Sequence, residues 1–250
     1  MLKFFRKIRY NRMSENKTSK YFKYAIGEII LVVIGILIAL SLNNWKEARK
    51  ETLQEVKILK QLSADLFDNQ GEAESILSEV KTRLRSSDSI LLYINEKRKL
   101  NDSLGKYFTG IRYTSFFNSA NTAYKYIQSE GMNIVSNDSL RTRLTMMYEK
   151  EFRNIDLRAI AEDRIQNEVL EPYIRTHFKP VAWDTHDVSY VKAQVQPINI
   201  EVLYDNFEFK NILLEQNAYL QVRNRWLVGT LKKLEELIEE VQNEIKRLEN

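Results

Sequence analysis

Residues 25–42 read AIGEIILVVIGILIALSL, eighteen residues with a single charge, Glu28. As an α-helix this stretch spans about 27 Å, and extending it from Tyr24 to Trp45 gives about 33 Å, close to a hydrocarbon core. Tyr21 and Tyr24 stand at one end and Trp45 at the other, where aromatic rings favour the headgroup layer. The pattern predicts one transmembrane helix over 25–45. It divides the chain into a basic tail, 1–24, the span, and a larger region, 46–250.

The charge balance supports that division. The formal charge is +4. Residues 1–24 hold eight basic side chains against Glu15, a net of +7, which leaves 30 basic and 33 acidic residues in the remainder. Nucleic-acid binding wants clustered Lys and Arg on one face, and the large region has both signs interspersed, so no nucleic-acid partner is expected. Basic residues before a span stay on the cytoplasmic side, so the N-terminus is expected inside and Lys46 onward translocated. Ala39-Leu40-Ser41 is a weak signal-peptidase pattern, but the basic leader and the apolar run are both longer than a cleaved signal requires. A retained, single-pass anchor in the lipid bilayer is the expectation.

Composition sets the fold class. Seven glycines and three prolines in 250 residues leave little punctuation, so long helices are expected and β-sandwiches are not. The absence of cysteine removes disulfides, thiolate metal sites and a cysteine nucleophile. The fold class read is mainly α: the span continuing into an antiparallel helical bundle. Leu53, Val56, Leu59, Leu62 and Leu66 recur at helical steps, Gly71 suggests a turn, and a second helix runs from about Glu72 to Asn95 with Ile76, Leu77, Val80, Leu84 and Leu91 inward. Asn118 or Ser119 is read as the cap of a helix that carries Ala123, Tyr124 and Ile127. A long helix from Ser139 to about Glu171 places Leu140, Leu144, Met147, Ile155, Ile160 and Leu170 on a core face, and Pro172 kinks or restarts it. All three prolines lie between Pro172 and Pro197, and alternation at Ile198, Ile200, Val202 and Tyr204 suggests a small hairpin near 188–204.

The last element carries the clearest packing signal. Leu227, Leu231, Leu234, Ile238, Val241, Ile245 and Leu248 recur at steps of four and three, the seam of a helix held against a partner helix. The partner is either the helix after the span or another subunit. Within the span, Gly27, Gly35 and Ala39 share one face and form a small-residue stripe that admits close helix approach. Glu28 is the one ionisable group at membrane depth, either a relay group or a side chain reaching the cytoplasmic interface.

No motif for a hydrolase elbow, zinc protease, phosphate loop or dinucleotide site occurs. The densest polar group is Glu171, His177, Asp184, His186 and Asp187, whose spacing matches no standard metal site. No catalytic residue, metal or cofactor is assigned, and the chain is expected not to be an enzyme. Glu235, Glu236, Glu239 and Glu240 read as a solvated helix face. Trp183 and Trp226 read as bundle core or as the lining of a ligand pocket.

The run MLKFFRKIRY…ENKTSKYFKYAIGEIILVVIGILIALSLNNWKEARK resembles the N-terminal signature of an uncharacterised single-span membrane protein family, a domain of unknown function common in Bacteroidota. That resemblance is carried mainly by residues 1–50. It implies a Gram-negative inner-membrane address and a periplasmic C-terminal region. Asp88-Ser89-Ile90, Asp102-Ser103-Leu104 and Asp138-Ser139-Leu140 resemble the O-glycosylation sequon of exported proteins in that lineage, and equally suit helix starts. Two functional readings are open: a non-enzymatic anchor or scaffold that assembles with itself or with other envelope proteins, and a sensor or energy-coupling subunit that uses Glu28 or the bundle.

Overall fold

The structure is a computed structural model and describes residues 18–182 and 194–250. They fall into two units, Met1–Gln54 and Glu55–Asn250. Helix α1 (Thr18–Asn95) supplies the described part of the first unit and the first long element of the second. Within the first unit its large apolar side chains are exposed among the described residues: Leu31 is 73% exposed and Ile29 63%. The helix is long and apolar enough to cross a membrane. A helix that is apolar on all sides and unburied is the form a bilayer, rather than water, solvates.

In the second unit the same helix changes character. Leu59, Leu62, Leu66, Asn69, Ala73, Ile76, Val80, Arg83, Ser87, Ile90 and Ile94 are all buried, at strictly alternating steps of three and four. The turn expected at Gly71 does not form. A Cβ there would meet nothing, so the glycine is an open surface position. It weakens the helix by about 1 kcal/mol, while the buried seam continues past it on the other face. Leu53, read as part of that seam, is 61% exposed and lies in the first unit.

Two short elements come next: α2 (Asp102–Gly110), capped by Asn101, and α3 (Thr122–Glu130). The residue before α3 is Asn121, so the start falls two to three residues later than expected; Gly131 ends the helix at φ 103°, a conformation that favours glycine. The second long path comprises α4 (Asp138–Met146), a π turn (Met147–Phe152), α5 (Arg153–Ile165), a second π turn (Gln166–Leu170) and α6 (Glu171–His177). Asn137 caps it by accepting from the Leu140 N–H at 3.1 Å. Each π turn adds a residue to its turn and rotates the helix beyond it. After the first, Ala159 is buried and Ile160, expected inward, is 57% exposed. Pro172 restarts the helix after the second π turn, where the regular ladder is already interrupted.

Strand β1 (Phe178–Ala182) pairs antiparallel with β2 (Gln194–Pro197), Phe178 opposite Pro197. A hairpin therefore exists, but the alternating stretch 198–204 is not its strand. The Asn199 side chain accepts from the Glu201 N–H at 3.0 Å and starts the short helix α7 (Glu201–Tyr204), with Leu203 buried. Helix α8 (Phe207–Glu249), capped by Asn206, closes the bundle.

Helix α8 runs antiparallel to the second-unit part of α1. Lys60 pairs with Glu249 at 2.6 Å, and Asp88 accepts from Asn217 at 3.2 Å. The partners of the final helix thus lie within the chain: the first helix on one side and, more closely, the 138–177 path, where Arg143 meets Glu240 at 2.9 Å and Lys233 meets Glu151 at 2.8 Å. Leu227, Leu234, Ile238 and Val241 are buried, while Leu231, Ile245 and Leu248 pack half-buried against the same core. Two apolar clusters result. One gathers Leu59, Leu66, Leu144, Phe152 and Leu234, and the other Ile90, Phe108, Phe178, Phe209 and Leu213.

Candidate functional site

A layer of buried charge lies between the two apolar clusters along α1 and the 138–177 path. Glu162 on α5 receives one guanidinium from each long helix. Arg83 of α1 reaches one carboxylate oxygen, and Arg223 of α8 reaches the other at 2.9 Å. All three side chains are at most 2% exposed. Thr114 Oγ1 also donates to Glu162, at 3.3 Å, and Arg223 donates to the Ser115 carbonyl. One carboxylate between two arginines leaves the triad one positive charge in excess.

Amides extend the layer. Gln166 Oε1 accepts from Gln216 Nε2 at 2.8 Å, and Gln166 Nε2 donates to Glu171 at 3.2 Å. Gln216 also donates to the Ile111 carbonyl at 3.0 Å. Glu171 in turn holds Arg112 through two contacts of 3.2 and 3.0 Å. One network therefore ties together α1, the segment after α2, the 138–177 path and α8. Gln166 opens the second π turn and Glu171 stands directly after it, so this wide turn brings both groups inward.

The electrostatics are set by burial. Burial holds the Arg83 guanidinium below its ordinary value, with Glu162 opposing that shift. Glu79, which accepts from Ser115 Oγ, is raised by burial against the pull of Arg223 and Arg83. Asp156 is raised by burial as well, with the Phe117 N–H at 3.2 Å lowering it in part. Breaking such a buried pair by removing one partner costs about 3–5 kcal/mol, because the other charge stays buried and uncompensated. Replacing a whole buried set with apolar residues of similar volume is often neutral or stabilising, so the cost of breaking the layer is not a measure of its net contribution to stability.

Arg83, Glu162 and Arg223 carry no motif that marks them in the sequence. A faint signal was present: Arg83 stands three residues after Val80, and Arg223 three after Leu220 and four before Leu227, so each occupies a seam position. A charge at a seam position reads as solvated until its counter-charge on a distant segment is known.

The sequence-singled residues sit elsewhere. Glu28 is exposed on the first unit, and a Cβ on Gly27 or Gly35 would meet open space. Ala39 and Trp45 are exposed too. Of the polar group around the prolines, Glu171 belongs to the buried layer, and His177 packs on Tyr173 with ring centroids 4.3 Å apart. Asp184, His186, Asp187 and Trp183 lie outside the described residues. Glu236 and Glu240 are not simply solvated: they face Arg143 at 3.4 and 2.9 Å. Asn101 and Asn137 cap helices that begin at Asp102 and Asp138, which accounts for two of the three Asp-Ser-aliphatic triplets. Among the described residues, no three His, Asp or Glu side chains converge as metal ligands would.

No curated protein and no solved structure matches the chain. A family model does, and its match begins inside the apolar stretch and ends in β1, so most of it lies beyond the fifty N-terminal residues that carry the resemblance in sequence. With residues 28–179 matched, the chain belongs to a family of unknown function, DUF6090.

Proposed function

We propose that this protein is a non-enzymatic, single-pass anchor of the bacterial inner membrane, its N-terminus cytoplasmic and its helical bundle a periplasmic scaffold for protein–protein contacts. The observation that carries the reading is the contrast within α1: an uncovered apolar stretch suited to lipid, and a bundle that satisfies its own seams. The +7 tail supplies orientation. The buried charge layer supports a scaffold role, because buried charges that meet their counter-charge in one register disfavour slipped alternatives. Homo-oligomers or other envelope proteins are the partners, and the uncovered Gly27–Gly35–Ala39 stripe is one surface on which a second membrane helix fits.

Crosslinking in native membranes, with identification of the proteins that co-purify, tests this. Recovery of discrete oligomers or of the same envelope partners supports it, and recovery of the protein alone as a monomer rejects it. A sensor or coupling subunit is the second reading, favoured by Glu28 standing on the apolar stretch. Glu28→Gln is silent for a scaffold and disabling for a coupling subunit, read as rescue of a deletion strain.

A further inference from the structure

Between α2 and α3, residues 113–121 belong to neither helix nor strand. Side chains hold this strap to all three long elements of the bundle. From α1, Glu79 accepts from Ser115 Oγ, and Asn69 accepts from the Ala120 N–H at 2.7 Å while donating to the Ala120 carbonyl at 2.8 Å. From α5, Asp156 accepts from the Phe117 N–H at 3.2 Å, and Glu162 accepts from Thr114 Oγ1 at 3.3 Å. From α8, Arg223 donates to the Ser115 carbonyl. A segment with no helix or strand of its own opens at less cost than the seams beneath it.

The strap lies against the charge layer, since it contacts both Glu162 and Arg223, whose side chains are each 1% exposed. Phe117 anchors it in the first apolar cluster, with its ring 5.0 Å from that of Phe152. Phe116, the next residue back, is 49% exposed. Three of the holds on the strap are carboxyl groups, so its closure is open to control by protons.

We propose that this strap is a proton-set latch: proton uptake by Glu79 and Asp156 tightens it over the charge layer, and loss of those protons loosens it. Burial pushes both carboxyls up. At Glu79, Arg223 of α8 and Arg83 of its own helix pull the other way, and Glu72 adds to the rise. At Asp156, the Phe117 N–H and Arg223 pull the other way. With the strap open both groups return to water and towards their ordinary values. The closed strap therefore holds these protons more tightly than the open one. Its gain is complete below the ordinary values of 4.5 and 3.8 and is lost as pH rises through the raised ones. Protonation keeps both holds, because a neutral carboxyl still has an oxygen that accepts from Ser115 Oγ or from the Phe117 N–H. The latch is independent of the membrane reading, since all its residues lie in the second unit.

The test is hydrogen exchange of the purified full chain in detergent, read by mass spectrometry on peptides covering 113–121 and corrected for the intrinsic pH dependence of exchange. Strap protection should be higher at about pH 5 than at about pH 7, by about threefold or more. At both pH values it should stay below that of the seam around Leu62, which opens with the bundle as a whole. Glu79→Gln with Asp156→Asn keeps a neutral acceptor at each position and should make strap protection the same at the two pH values, with the fold retained by circular dichroism. Glu79→Gln alone should remove part of the difference, and Glu79 is only half-buried, so this change is the gentler on the fold. Strap protection that is equal at the two pH values in the unmodified protein, that falls on acidification, or that keeps its full pH dependence in the double variant overturns the proposal. So does a strap that exchanges only together with the seam.

Discussion

The two stretches of α1 differ in composition and in pattern together. Residues 26–42 carry a single charge, Glu28, and remain exposed; residues 59–94 carry many charges, and the side chains at their alternating three- and four-residue seam positions are buried. The difference teaches that hydrophobicity alone does not send a side chain into a protein core. A stripe buries itself against other stripes, whereas a uniformly apolar surface offers no preferred face and calls for an apolar solvent. Charge obeys the same logic. The apolar stretch holds one acid, Glu28, while the bundle admits Arg83, Glu162 and Arg223 at its centre because each finds a counter-charge.

That contrast can be broken most severely at the charge layer. Glu162→Ala leaves Arg83 and Arg223 buried without their carboxylate and should lower bundle stability by about 3–5 kcal/mol, read by denaturant unfolding of the full chain in detergent, with membrane fractionation unchanged. Leucine placed on both sides sharpens it next. Leu62→Ala should cost about 2–5 kcal/mol of unfolding free energy, and Leu37→Ala should leave the bundle transition where it was. An equal shift from both would erase the distinction between the two regions. Val33→Arg works in the opposite direction: a charge at mid-span costs about 2.5–3.5 kcal/mol of insertion, so alkaline extraction should release a larger share of the protein, whose bundle melts as before.

A smaller effect is expected at high pH. Burial pushes the Tyr173 phenol up to about 12 from 10.0, and its hydroxyl has no partner. The folded state therefore holds that proton more tightly than the unfolded chain, and the associated stability is complete below pH 10 and lost as pH rises towards 12. Tyr173→Phe should lose less stability across that window, measured as melting temperature against pH; parallel curves for the two proteins would remove Tyr173 from the account. Smallest of all, Lys60→Ala should cost less than about 1 kcal/mol, since Lys60 and Glu249 are 57% and 47% exposed and their attraction is screened. A loss comparable with Leu62→Ala would mean that this exposed contact, rather than the seam, sets the pairing.

Much of the fold is legible in the sequence because it is periodic. The seam from Leu227 to Leu248 and the helix ends at Asn137, Asn206 and Gly131 each arise from local chemistry that one segment contains. The readings that differ share a cause. Gly71 suggests a turn because glycine usually punctuates a chain, but its neighbours' seam holds the helix together. Ile160 reads as inward only on an uninterrupted 3.6-residue period, which the π turn at 147–152 breaks. The candidate site is half visible: Glu171 stands out in the sequence, but Arg83, Glu162 and Arg223 are neighbours only across three helices.

By itself the sequence determined a helical protein with one uniformly apolar stretch, a basic leader beside it and a heptad seam at the far end, because each of these is a property of consecutive residues. Only the tertiary structure decided that the seam closes within the chain, on the 138–177 path and the first helix together, and that Arg83, Glu162 and Arg223 meet inside the core. Pairings between segments more than sixty residues apart depend on which faces come together, and identical local patterns permit several such meetings. The choice among them is made where buried charges must find partners, since an unpaired one costs more than any single apolar contact returns.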